Sequence, residues 1–160
     1  MKIILFLSLL IWVIPGFGKV KIQKPRSQHV TAFAIIVDEM TLEKTGGAVE
    51  AYRDALEADG LSTYIVSGNW KNPDEVKAEI IKLNKRKPVL EGVVFIGDIP
   101  VALIRNAQHM TTAFKMNEDE FPFPESSVPS DRFYDDLHLT FDFICQDSVN
   151  TSHFYYKLRE

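Results

Sequence analysis

Three apolar-rich runs punctuate this chain: Val30–Val37 (VTAFAIIV), Leu61–Ser67 (LSTYIVS) and Leu90–Ile96 (LEGVVFI). Runs of this length suit strands buried on both faces, as in a parallel sheet. Between the first two, apolar residues recur at helical spacing and predict a helix from about Thr41 to Asp59. Val49, Tyr52 and Leu56 mark its inner face, with Ala48 and Ala55 beside them. Gly46-Gly47 weakens the first turns, and Gly60 stands where a left-handed C-terminal cap belongs.

The second helix is more sharply punctuated. Asn72 suits the cap, Pro73 the first helical position, and Asp74 and Glu75 the positive end of the dipole. Val76, Ile80 and Leu83 form the buried stripe, Lys85-Arg86-Lys87 suits the negative end, and Pro88 stops the helix. The order strand, helix, strand, helix, strand implies right-handed crossovers and a parallel sheet.

After Pro100 the pattern loosens. Val101–Arg105 reads as a short edge strand, while Ala107–Met116 is ambiguous between helix and strand. Pro122, Pro124 and Pro129 stand among acidic residues in Asn117–Pro129, which reads as an exposed loop. Leu137, Leu139, Phe141 and Phe143 alternate with polar residues, as in a half-buried strand. Ser152–Glu160 reads as the start of a further element. The expected fold is α/β: a three-layer sandwich around a mostly parallel sheet, with an antiparallel addition near the C-terminus.

The first eighteen residues stand outside that pattern. Lys2 precedes Ile3–Ile14, an apolar run broken only by Ser8, and Pro15-Gly16-Phe17-Gly18 places small residues where a signal peptidase reads. This is a secretory signal with cleavage expected after Gly18, and the run is too short for a membrane span, which takes about 18 or more apolar residues. Its removal leaves 142 of the 160 residues, enough for one compact α/β unit. Residues 19–29 are basic and polar and read as a flexible leader. The formal net charge of −4 becomes −5 without Lys2, so nothing favours nucleic acid or an anionic membrane surface. Cys145 is the single cysteine, which excludes an intrachain disulfide.

Chemistry is sparse. Asp38-Glu39 and Gly97-Asp98 end two of the predicted strands, at the carboxyl rim where open α/β sheets bind ligands. Asp38, Glu39 and Asp98 read either as a cation site or as acids capping the turns that follow. Downstream lies Pro129–Asp136 (PSDRFYDD). A strand ending in Gly-Asp-Ile-Pro, then a long loop, then Ser130-Asp131 and Tyr134, resembles the amino-terminal subdomain of gingipain-type cysteine peptidases. These are secreted bacterial enzymes with a caspase-like fold.

The resemblance spans roughly Val30 to the C-terminus. It implies that Asp98, Asp131 and Tyr134 border a substrate cleft or form a joint between subdomains. It also implies a catalytic subdomain that carries a nucleophilic cysteine and a His-Gly pair. This chain holds no such pair, since His109 precedes Met110, His138 precedes Leu139 and His153 precedes Phe154. Catalytic residues are therefore not carried over. Cys145 follows the apolar-rich Phe141–Ile144, where a caspase-like nucleophile would sit; with His109 it is the remaining candidate dyad, against a reading as a small packed hydrophobe.

The function expected is the amino-terminal, non-catalytic part of an exported peptidase. It would be inactive alone, need no cofactor, and meet peptide or protein substrates only when completed by its catalytic subdomain or a partner chain. Phe154-Tyr155-Tyr156 reads as an aromatic patch that such a partner would cover. The alternative is a free-standing exported binding module using the acid-lined rim.

Overall fold

A computed structural model describes residues 20–105 and 119–159. The expected secretory signal over 1–18, the ambiguous Ala107–Met116 and His109 within it lie outside the described residues. The fold is α/β, built from two four-stranded sheets.

The first sheet contains β1 (Lys21–Gln23), β2 (Thr31–Asp38), β3 (Leu61–Gly68) and β4 (Val89–Ile96), in the order β1-β3-β2-β4. β2 lies parallel to both β3 and β4, so that Ile35 faces Ile65 on one side and Val94 on the other. Two helices make the crossovers, α1 (Glu39–Ala58) and α2 (Pro73–Asn84). α1 lies on one face of the sheet, where Val49, Leu42 and Leu56 pack on Ile35, Val37 and Ile65. α2 lies on the other, packing Val76, Ile80 and Leu83 on Ala34, Ile36 and Val66. Local chemistry starts α2 and ends α1 as expected, while α1 begins at Glu39 rather than near Thr41. Asp38 caps α1, Asn72 accepts the Glu75 N–H at 2.9 Å, and Gly60 adopts φ +93°. The irregularity foreseen at the glycine pair falls at Thr45, whose hydroxyl donates back to the Thr41 carbonyl at 2.7 Å.

The second sheet contains β5 (Val101–Arg105), β6 (Ser127–Pro129), β7 (Phe141–Gln146) and β8 (His153–Leu158), in the order β6-β5-β8-β7. Two single-turn helices, α3 (Phe123–Ser126) and α4 (Arg132–Asp135), connect its strands. Three layers result: α1, the first sheet, and a mixed layer of α2 with the second sheet. The antiparallel addition near the C-terminus is thus a separate sheet, whose central pair β5–β8 is itself parallel. α2 joins the two sheets. Asp74 accepts the Tyr156 hydroxyl at 2.6 Å, and Lys77 donates to the Leu139 carbonyl at 3.3 Å while lying over the Phe133 and Phe141 rings.

Several expectations are corrected by this arrangement. β4 is half-buried rather than buried on both faces, because it is an edge strand that no described residue pairs on its outer side. β5 is interior, not an edge, since β8 returns from the C-terminus to pair with it. The half-buried strand begins at Phe141 rather than Leu137, and a bulge between Phe143 and Cys145 breaks the alternation, leaving Phe143 exposed. Part of the expected loop 117–129 forms α3 and β6, with Ser126 and Ser127 buried. Phe154, Tyr155 and Tyr156 are buried within this chain as β8 and need no partner to cover them.

The leader is also structured. β1 pairs with β3, and the buried Glu57 accepts the N–H groups of Arg26 and Ser27, each at 2.9 Å. The buried guanidinium of Arg53 donates to Gln23 at 3.1 Å. The fully buried residues of α1 are therefore Val49, Arg53 and Glu57, with Leu42 and the expected Leu56 packed on the sheet beside them, while Tyr52 faces solvent. Helical spacing located the helix but not the side that the leader covers. Replacing Glu57 by alanine is expected to cost about 2–3 kcal/mol, because two shielded N–H groups lose a charged acceptor. Amide exchange over 21–29 should rise while that of β2 and β3 stays slow; unchanged protection of the leader would contradict this role.

Candidate functional site

In this topology β2 connects to β3 on one side and β4 lies on the other, with helices on opposite faces. The point where the strand order reverses lies between β2 and β4, and open α/β sheets bind ligands outside the carboxyl ends of strands at such a point. Asp38 ends β2 and Gly97-Asp98 follows β4, so the sequence candidates Asp38, Glu39 and Asp98 converge there. They line a pocket of about 330 Å³ together with Glu43, Asn69 and Trp70.

One carboxylate of the lining, Asp38, is already engaged by the chain's own backbone. Asp38 Oδ1 accepts the Thr41 N–H at 2.9 Å, capping α1, and Oδ2 accepts the Asp98 N–H at 2.8 Å across the switch point. Partial burial opposes ionisation of Asp38. Hydrogen bonds from the Thr41 side chain and backbone and from Asp98 outweigh it and hold the carboxyl below the usual range. Gly97 turns the chain at φ +87°, close enough to leave no room for a β-carbon. Glu39 pairs with Lys21 at 3.1 Å. Among the described residues no three acids, histidines or cysteines are grouped to hold a metal ion. Of the two readings offered for these acids, the geometry matches the turn cap for Asp38. Trp70, which the sequence reading passed over, donates its indole N–H to the Val37 carbonyl at 3.1 Å and walls the pocket.

The second candidate group divides. Tyr134 is buried, and its hydroxyl donates to the Pro100 carbonyl at 2.7 Å. Its ring lies 4.8 Å from that of Phe95 and 5.1 Å from that of Phe133. Burial, with the negative charges of Asp74 and Asp131, raises the phenol well above its ordinary value, so it stays a neutral donor. Asp131 is exposed at the start of α4, where its carbonyl accepts the N–H groups of Tyr134 and Asp135. It does not line the rim pocket beside Asp98.

Cys145 is half-buried in β7 opposite Tyr155, and no imidazole among the described residues is hydrogen-bonded to it. His109, the other half of that candidate dyad, lies outside the described residues. No helix among the described residues is long and apolar enough to cross a membrane. Comparison with family models, curated proteins and solved structures finds no match to this chain.

Proposed function

We propose that this chain is the amino-terminal, non-catalytic part of an exported gingipain-like cysteine endopeptidase, which braces a separate catalytic subdomain. One observation carries the reading. The two motifs behind the resemblance, Gly97-Asp98-Ile99-Pro100 and Ser130-Asp131…Tyr134, meet through the buried hydrogen bond from Tyr134 to the Pro100 carbonyl. Residues 34 apart in sequence are thereby locked into one joint beside the carboxyl rim. Asp98 and Asp131 remain on its solvent side, available to a neighbouring subdomain. A second reading, a free-standing exported ligand- or protein-binding module, draws on the open pockets at the two ends of the first sheet.

The test is proteolysis itself. The full chain, incubated with fluorogenic peptides under reducing conditions, is expected to cleave none of them. Cleavage should appear on adding the product of a downstream reading frame that carries a His-Gly pair and a cysteine. Thiol-dependent cleavage by the chain alone, lost in Cys145→Ala, would overturn the proposal. An unrelated gene downstream would favour the binding module.

A further inference from the structure

At the other end of the first sheet, where the parallel strands begin, lies a cleft of about 840 Å³. Its size falls within the range of pockets that enclose small organic molecules. Three cations line it: Lys24 from the leader, and Arg86 and Lys87 from the segment after α2. No carboxylate among the described residues lies within ion-pairing distance of any of them. Their neighbours in the leader behave differently, Lys21 pairing with Glu39 and Arg26 with Glu50 and Asp54. In a chain of net charge −4, three unneutralised cations gathered around one concavity make a local positive field suited to an anion.

His29 also lines the cleft. Its backbone N–H donates to the Ser62 hydroxyl at 2.7 Å, which holds the residue at the cleft. Its ring Nε2 is shielded from solvent and has no hydrogen-bond partner. Arg53 and Ser127 hold shielded, unpartnered atoms elsewhere in the chain, so His29 counts here as part of the cleft wall. Beside the polar Gln28 and Ser62, the remaining walls are apolar or aromatic: Pro25 and Pro88, the Tyr64 ring, and Val30, which is 90% exposed. Cations and apolar surface in one cleft fit a molecule that carries both a charge and an apolar body.

We infer that this cleft binds a small organic anion, a phosphate or carboxylate carried on an apolar body, with Lys24, Arg86 and Lys87 facing the charged group. The site stands at the opposite end of the strands from Asp98 and does not depend on the peptidase reading.

Phenyl phosphate is the probe, titrated into the full chain and followed by amide chemical shifts. Saturable shifts confined to residues near 24–30, 62–64 and 86–88 are expected, with a dissociation constant below about 1 mM. Benzoate in place of phenyl phosphate separates the two anion types, and saturable binding of either supports the site. The double variant Arg86→Ala/Lys87→Ala removes two exposed side chains, so its melting temperature should match the parent while affinity falls at least about tenfold. Undiminished affinity in that variant, equal binding of neutral phenol, or no saturable shift with either anion at about 10 mM would each overturn the inference.

Discussion

Replacing Gly97 by alanine is expected to destabilise the chain by about 3–5 kcal/mol, combining a strained left-handed backbone with overpacking. The residue sits at φ +87°, and a β-carbon there would lie 1.9 Å from Asp38 Oδ2, 2.4 Å from Thr41 Oγ1 and 2.8 Å from Thr41 Cβ. These atoms are not a loose side-chain tip that can swing away. Asp38 is held from both sides by the Thr41 and Asp98 N–H groups. Any movement that relieves the clash therefore gives up the α1 cap and the tie to the turn together. Urea denaturation of Gly97→Ala, Asp38→Ala and the double variant checks this. The double variant should lose clearly less than the sum of the single losses, because the Asp38 clash exists only when both side chains are present. A loss under about 1 kcal/mol in Gly97→Ala would show that the turn is not locked in this way.

The same latch sets an acid limit. The Asp38 carboxyl is held below its unfolded value of about 3.9. Its contribution is complete above that pH and fades as pH falls through the lower folded value. Asp38→Ala should therefore show a shallower loss of stability on the acid side.

Phe133→Ala is expected to cost about 3–5 kcal/mol, the usual range for emptying a buried aromatic site. Phe133 is 1% exposed, and its ring lies 5.1 Å from Tyr134, 5.1 Å from Phe141 and 4.6 Å from Tyr156, with the Lys77 ammonium 4.8 Å from its centroid. It stands in α4 and touches β7, β8 and α2 together, so the cavity would fall at the seam between α2 and the second sheet. Thermal melts should show the loss, and limited proteolysis should cut first in 119–159. Tyr156→Phe is the contrasting variant: it keeps the ring and removes the hydroxyl given to Asp74, for about 1.5–3 kcal/mol. If Phe133→Ala cost no more than Tyr156→Phe, the seam would be held by its polar contacts rather than by packing.

The candidate site was legible in part. Acids following β2 and β4 could be placed at one rim from strand order alone, because a βαβαβ pattern sends both strand ends the same way. That Asp38 spends both oxygens on backbone N–H groups was not legible, since the Asp98 amide lies 60 residues away. Tyr134 stood out within its motif, but its acceptor, the Pro100 carbonyl, carries no side-chain signal. The basic cleft escaped because Arg86 and Lys87 read as the end of a helix, and Lys24 as part of a leader.

What the chain's own order of residues determined is what short-range physics decides: where α1 and α2 cap and stop, which runs become β2, β3 and β4, and the parallel pairing that short crossovers require. Tertiary structure alone decided which strands are edges. It sent the C-terminal aromatics back to flank β5, and it turned Arg53 and Glu57 inward beneath the leader. The physical reason is that a strand's burial depends on what pairs with its edges and covers its faces. Those neighbours come from distant parts of the chain and leave no trace in the local pattern.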